Sequence, residues 1–250
     1  MRLDYDVEAA PPRRAALGLI LLSIDETIER DFRRLLPGDV ALFHSRVPSS
    51  PDLTAETIRT MRETLPDAAA LLPQAAELDA VAYGCTSGAT VLGEAEVARM
   101  IAASHPGTPV TNPLTALKAA CDALGVRRLG LVSPYVEDVS DSLRVALEDH
   151  GVGVAAFGSF GQKEERLVAR IAKPSIVEAM TAIGGADAVE AVFASCTNLR
   201  AVDVLAEAEA ALGKPALASN QVLAWHLLRL AGVEDRVESL GCLAGVGLRG

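Results

Sequence analysis

Val81-Ala82-Tyr83-Gly84-Cys85-Thr86-Ser87 and Val192-Phe193-Ala194-Ser195-Cys196-Thr197-Asn198 are two versions of one pattern. Each is a short apolar run, a small residue, a cysteine, then two small hydroxyl or amide residues. A short continuous apolar run reads as a strand buried on both faces. Each cysteine therefore stands where a buried strand gives way to a turn, and the two are 111 positions apart. Leu17-Gly18-Leu19-Ile20 recurs as Leu129-Gly130-Leu131-Val132, 112 positions on, and an arginine pair precedes both copies (Arg13-Arg14 and Arg127-Arg128). Pro109-Val110-Thr111-Asn112 resembles Pro215-Ala216-Leu217-Ala218-Ser219-Asn220, with the asparagines 108 apart. Three landmarks in one order, at nearly one offset, imply a duplicated unit.

Apolar runs alternate with helical patterns along the whole chain, the mark of parallel α/β architecture. Strands are expected near 17–22, 40–44, 80–83 and 109–111, and again near 129–133, 154–158, 191–194 and 215–218. The fold expected is α/β: two pseudo-symmetric lobes, each a four-stranded parallel sheet flanked by helices. One lobe takes 13–115 plus 220–250, the other 116–219. Open α/β sheets bind ligands at the carboxyl ends of their strands, which places the active site in the cleft between lobes. Helices are expected at 113–125, 137–150, 198–212 and 221–231, the last three ended by Gly151, Gly213 and Gly232. Ser133-Pro134 reads as a helix N-cap followed by a first-turn proline. Ser23 and Glu26 fit a capping box. Residues 1–12 read as a loose tail.

Composition narrows the function. The chain has 250 residues, half of them hydrophobic, and a formal net charge of −10. Without a Lys/Arg run, the footprint of a nucleic-acid binder is missing. No apolar stretch of about 18 residues points to a membrane span, and the acidic N-terminus lacks a signal-peptide core. A cytoplasmic protein is expected. The four cysteines (Cys85, Cys121, Cys196, Cys242) show no metal-ligand spacing, so neither a metal nor a disulfide framework is expected. The four histidines have no motif partners. No phosphate-binding glycine loop or zinc-protease motif occurs.

The chemistry is carried by the Cys-Thr turns. Unpaired backbone N–H groups at a strand-to-helix turn stabilise a thiolate, the reactive form of cysteine. With the hydroxyls of Thr86, Ser87 and Thr197 and the amide of Asn198, they can also cradle a carboxylate. One strand-end cysteine reads as packing. Two at equivalent positions, each followed by threonine, read as opposed acid/base groups, Cys85 and Cys196, on either side of one small acid. Cys121 and Cys242 have no such partners and read as structural. Ser23, Asp25, Ser133 and Tyr135 follow the first strand of each lobe and face the same cleft. Ser23, Ser133 and Asp25 fit capping as well as ligand contact.

These segments resemble the aspartate/glutamate racemase superfamily, and within it the maleate cis-trans isomerase and arylmalonate decarboxylase branch. The resemblance runs from about Arg14 to Gly232 and rests on Leu22–Glu29, Gly84-Cys85-Thr86-Ser87-Gly88, Ser133-Pro134-Tyr135, Phe193–Arg200 and Ser219-Asn220-Gln221. Asp25-Glu26-Thr27-Ile28-Glu29 also resembles an ectoine-utilisation subgroup. The resemblance implies a cofactor-independent enzyme on a small carboxylate, a homo-oligomer (dimer or tetramer), with Cys85 as nucleophile or base and Cys196 as acid/base. The alternative it leaves open is cofactor-free decarboxylation of a malonate-type acid, with Cys196 as proton donor. The isomerases commonly carry Asn where Asp25 stands. A carboxylate there repels a second substrate carboxylate or calls for a positive group.

Overall fold

The computed structural model describes all residues except 8–12, 53 and 250. Two four-stranded sheets carry the fold, and every strand pairing in both is parallel. The first holds β1 (Ala15–Leu22), β2 (Val40–Val47), β3 (Ala80–Gly84) and β4 (Val110–Thr111), in the order β2-β1-β3-β4. The second holds β5 (Arg128–Tyr135), β6 (Gly153–Gln162), β7 (Ala191–Ala194) and β8 (Ala216–Ala218), in the order β6-β5-β7-β8. The two orders are the same order, so the expected pair of pseudo-symmetric lobes is observed. The repeat holds to the residue: Gly18 pairs with Val81 and Gly130 with Val192. Both glycines answer a close approach. A methyl on Gly18 would lie 2.8 Å from Leu72 Cδ1, and one on Gly130 would lie 3.0 Å from Ile183 Cγ2.

All residues of β1, β3 and β7 are buried, as sandwiched parallel strands must be. The helices are α1 (Ile28–Leu35), α2 (Ala55–Ala70), α3 (Thr86–Leu92), α4 (Glu94–Ala102), α5 (Pro113–Leu124), α6 (Glu137–Glu148), α7 (Glu165–Val168), α8 (Lys173–Gly184), α9 (Leu205–Leu212) and α10 (Ser219–Leu230). Although α10 follows β8 of the second sheet, it packs against α5, β3 and α1. Its Trp225 is fully buried and donates its indole N–H to the Val246 carbonyl at 2.8 Å. No helix among the described residues is long and apolar enough to cross a membrane. Residues 1–7 of the expected tail carry no regular element, and 8–12 lie outside the described residues.

Three local expectations are corrected. Ser133-Pro134 does not open a helix: both residues belong to β5, and α6 starts at Glu137. The Ser133 hydroxyl instead accepts the Tyr135 N–H at 3.2 Å, which supports the strand end. Ser23 and Glu26 do not form a capping box, because α1 begins only at Ile28. The exposed Ser23 bonds Ser49, Oγ to Oγ, at 3.0 Å. Asp25 takes the capping role, its Oδ1 accepting the Thr27 and Ile28 N–H groups at 2.8 Å each. Finally, 198–212 is α-helical only from Leu205, after a 3-10 turn over Val202–Val204. The side chain of Asn198 is drawn instead to groups on both lobes, as described below.

Candidate active site

Cys85 follows β3 directly and caps α3, its Sγ accepting the Gly88 N–H at 3.2 Å. Glycine at 88 is required by close approach, since a methyl there would overlap the Tyr83 phenol. Cys196 lies two residues past β7 with φ +98°, a left-handed backbone that residues other than glycine seldom adopt. Its N–H donates to Ser219 Oγ at 2.9 Å, and its Sγ receives the Asn198 N–H at 3.3 Å. The Tyr135 hydroxyl sits 2.9 Å from the same sulfur.

The two cysteine turns touch. Thr197, just after Cys196, donates its hydroxyl to the Gly84 carbonyl just before Cys85, at 3.2 Å. Ser219 ties them again, its Oγ lying 2.9 Å from Thr86 Oγ1 while also receiving the Cys196 N–H. Both cysteines are buried, at 3% and 4% exposure, and neither is in a disulfide.

Thr86, Ser87, Ser133 and Tyr135 come together around one small cavity of about 10 Å³, which Ser140 and Ser195 also line. That volume is at the lower bound for a single water. Its polar walls are hydroxyls without charge. A second space, a cleft of about 780 Å³, shares none of these lining residues. Ser23, Asp25, Glu26, Arg46 and Asp52 line it from the first lobe, and Glu164, Glu165 and Arg166 from the second.

Thr197 and Asn198 are committed to cross-lobe bonds. The Thr197 hydroxyl reaches Asp25 Oδ2 at 2.9 Å. Asn198 Oδ1 accepts the Glu26 N–H at 3.0 Å, while its Nδ2 donates to Glu165 Oε2 at 2.9 Å and to the Glu165 carbonyl at 3.1 Å. Glu165 escaped the sequence reading because Lys163-Glu164-Glu165-Arg166 has the composition of a solvated surface. In the fold it is buried, and its Oε1 accepts the Tyr135 hydroxyl. A chain of polar atoms thus runs from the cleft through Glu165 and Tyr135 to Cys196.

Electrostatics reverse one expectation. The turns do not hold resting thiolates. Burial pushes the Cys85 thiol up to about 12, with Glu165 and Asp25 adding to the rise, and one N–H bond from Gly88 does not offset that. Burial also raises Cys196 well above its usual range, again helped by Glu165 and Asp25. No helix follows Cys196 directly, so the dipole expected there is missing. Burial likewise raises Asp25, against the N–H groups of Ile28 and Thr27, and Glu165, against the bonds from Tyr135 and Asn198.

These raised thiols carry a stability prediction. Cys85 and Cys121 rise from an ordinary 9.0 to about 12 on folding, both through burial. Below pH 9 both states hold these protons and the contribution is complete. Above pH 9 the unfolded chain loses them first, so stability falls as pH rises toward 12, by roughly 1.4 kcal/mol per unit for each thiol. Urea midpoints between pH 8 and 11 should drop, and Cys121→Ala should make the drop shallower. An unchanged slope in that variant would contradict the assignment.

Among the described residues no group of three or more His, Cys, Asp or Glu could hold a metal ion.

A family model of arylmalonate decarboxylase matches residues 52–244. The arylmalonate decarboxylase of Bordetella bronchiseptica is 31% identical over 127 residues, 50% of this chain and 53% of that one. The maleate isomerase of Geobacillus stearothermophilus is 22% identical over 241 residues, covering 91% of this chain and 96% of that one. The crystal structure of a Nocardia farcinica maleate cis-trans isomerase mutant, with a covalently bound succinylcysteine intermediate, superposes with a TM-score of 0.81. It is 20% identical and covers 92% of this chain and 98% of that one.

Proposed function

The chain belongs to the arylmalonate decarboxylase family, and from its paired cysteine turns we infer that it is a cofactor-independent isomerase or racemase of a small carboxylic acid, working through Cys85 and Cys196. The observation that carries this reading is the direct joining of the two cysteine turns by Thr197 and Ser219. It supports two sulfur atoms serving one substrate from opposite lobes.

The substrate carboxylate is placed against the hydroxyls of Thr86 and Ser87, whose cavity of about 10 Å³ has to widen to admit it. In racemisation one sulfur, as thiolate, removes the proton from the adjacent carbon. The charge left behind spreads onto the carboxylate oxygens, where Thr86 and Ser87 can donate to it. The other sulfur, as thiol, delivers its proton to the opposite face. In cis-trans isomerisation Cys85 adds to one alkene carbon and Cys196 protonates the other. Rotation about the resulting single bond and reversal of both steps complete the reaction. A succinylcysteine in the Nocardia relative supports such an addition.

Racemisation with Cys196 as the base needs that sulfur ionised once substrate is bound. Cys196 has a path for its proton through the Tyr135 hydroxyl to Glu165 at the cleft. A carboxylate raised toward neutrality is matched to that task.

Proton NMR in heavy water over a panel of small acids tests the reading. Substrate C–H should be replaced by deuterium, and loss of either cysteine should impair the reaction. Turnover of a malonate-type acid with carbon dioxide release, indifferent to Cys85→Ser, would establish decarboxylation instead, a reading favoured by the family model. The string Asp25–Glu29 supports adding ectoine-derived acids to the panel. The sequence resemblance supports a homo-oligomer, a dimer or a tetramer.

A further inference from the structure

Two of the three tyrosines in the chain stand beside the two cysteines of the site. The Tyr135 hydroxyl is 2.9 Å from Cys196 Sγ. The other, Tyr83, belongs to β3 in the first lobe. The repeat does not relate the two, since the position that matches Tyr83 is Ala194, 111 residues on. Each lobe brings a phenol to its own sulfur by a different route.

Strand geometry places Tyr83. Residues two apart on a strand share a face, and Cys85 keeps the extended backbone of β3, with φ −148° and ψ 116°. Both side chains meet α2 and α3 on that face. Tyr83 is fully buried, and its hydroxyl donates to Met61 Sδ of α2 at 3.3 Å. A thioether is a weak acceptor, so this buried O–H is poorly satisfied. The hydroxyl also lies against Gly88, the residue whose N–H donates to Cys85 Sγ at 3.2 Å. Glycine at 88 thus lets two donors, its own N–H and the Tyr83 O–H, approach one sulfur. The other titratable groups that face Cys85 are Asp25 after β1, Glu165 of α7 and Tyr135 of β5. Burial raises the Cys85 thiol, and Glu165 and Asp25 add to the rise, while the bonds from Gly88 and Tyr83 oppose it. Burial also holds the Tyr83 phenol well above its ordinary value, so it keeps its proton and remains a donor.

Tyr83 lines neither the small cavity nor the cleft, so it acts through Cys85 and not on a substrate. Resting on the two-cysteine reading above, we propose that Tyr83 is the positioning residue of Cys85, its hydroxyl turning from the Met61 thioether to the cysteine sulfur as negative charge develops there. Met61 holds the hydroxyl while the sulfur is a neutral thiol. Rotation about one C–O bond then supplies the second donor without moving the backbone.

Tyr83→Phe keeps the ring and removes only the donor. A hydrogen bond to a charged acceptor corresponds to about one to two pH units of thiol acidity. The thiolate fraction falls by that full shift, and the greater nucleophilicity of the more basic thiolate regains about half of it. Methyl methanethiosulfonate should therefore label Cys85 about three- to tenfold more slowly in Tyr83→Phe than in the wild type. The rates are read by peptide mass mapping between pH 7 and 9. Cys196 in the same molecules should keep its rate. Met61→Leu leaves the phenol no acceptor but the sulfur, so it should quicken Cys85 labelling. On any small acid that the wild type turns over, Tyr83→Phe should lower kcat by a factor similar to the labelling change and leave KM unaltered. A common change in the Cys85 and Cys196 rates, or slower Cys85 labelling in Met61→Leu, would overturn the role of Tyr83 and leave the two-cysteine function standing. The expected labelling pattern in a protein that turns over no small acid would keep Tyr83 at Cys85 and overturn the two-cysteine function instead.

Discussion

Cys196→Ser should lower turnover by about 10²–10⁴-fold, the usual range for a lost general acid/base. The sulfur it removes is the one contacted by the Tyr135 hydroxyl at 2.9 Å and joined through it to Glu165. A serine hydroxyl is a far weaker acid than a thiol, so it cannot be ionised through that path. Cys85→Ser should be equally damaging to isomerisation, where the sulfur must bond to carbon. In racemisation its effect is one-sided. Proton movement at one face stops, so inversion ceases while exchange through Cys196 persists for a single antipode. Following both antipodes by NMR in heavy water separates the two chemistries. Wild-type kcat/KM in both serine variants would remove the cysteines from the mechanism.

Asn198→Ala should lower folding stability by about 2–4 kcal/mol, read as a fall in the urea midpoint. Its amide contacts three groups: the Glu26 N–H on the other lobe, and the Glu165 carbonyl and carboxylate on its own. Truncation leaves buried polar atoms unsatisfied, and each costs about 1–3 kcal/mol. The Asn198 N–H to Cys196 and the Thr27 hydroxyl bond to the Asn198 carbonyl involve only backbone at this position and would survive. Asn198→Asp should be worse than alanine at neutral pH, since it sets a second carboxylate against Glu165. Protonation relieves that repulsion, so the gap between the two variants should narrow as pH falls into the acid range where the raised Glu165 carboxyl takes up its proton. A midpoint unchanged in Asn198→Ala would mean that the cross-lobe bonds contribute nothing to stability.

The expected strands fall within four residues of the observed ends at every position, the largest gap being at the end of β6. Buried parallel strands leave a signal that needs no tertiary knowledge: short apolar runs without alternation, here written twice. The turns were less legible. Ser133-Pro134 has the composition of a helix start, but the hydroxyl is used within the strand end. The helix expected from Asn198 loses its first turns because that side chain satisfies donors and acceptors on segments far away in sequence. Glu165 was hidden for a related reason. A glutamate among Lys163, Glu164 and Arg166 has a surface composition, and only the fold brings Tyr135 and Asn198 to it. Thiol acidity was misjudged because local N–H groups can be inferred from a motif, whereas the depth of burial and the neighbouring carboxylates cannot.

The backbone at Cys196 bears on how this protein can change over time. A positive φ of 98° is natural for glycine and costs other residues about 1–3 kcal/mol. Drift toward greater stability should therefore favour glycine at this position, and single-base changes connect the two codons. A thiol stands there despite that cost, so Cys196→Gly should relax the backbone while it removes the sulfur from the site.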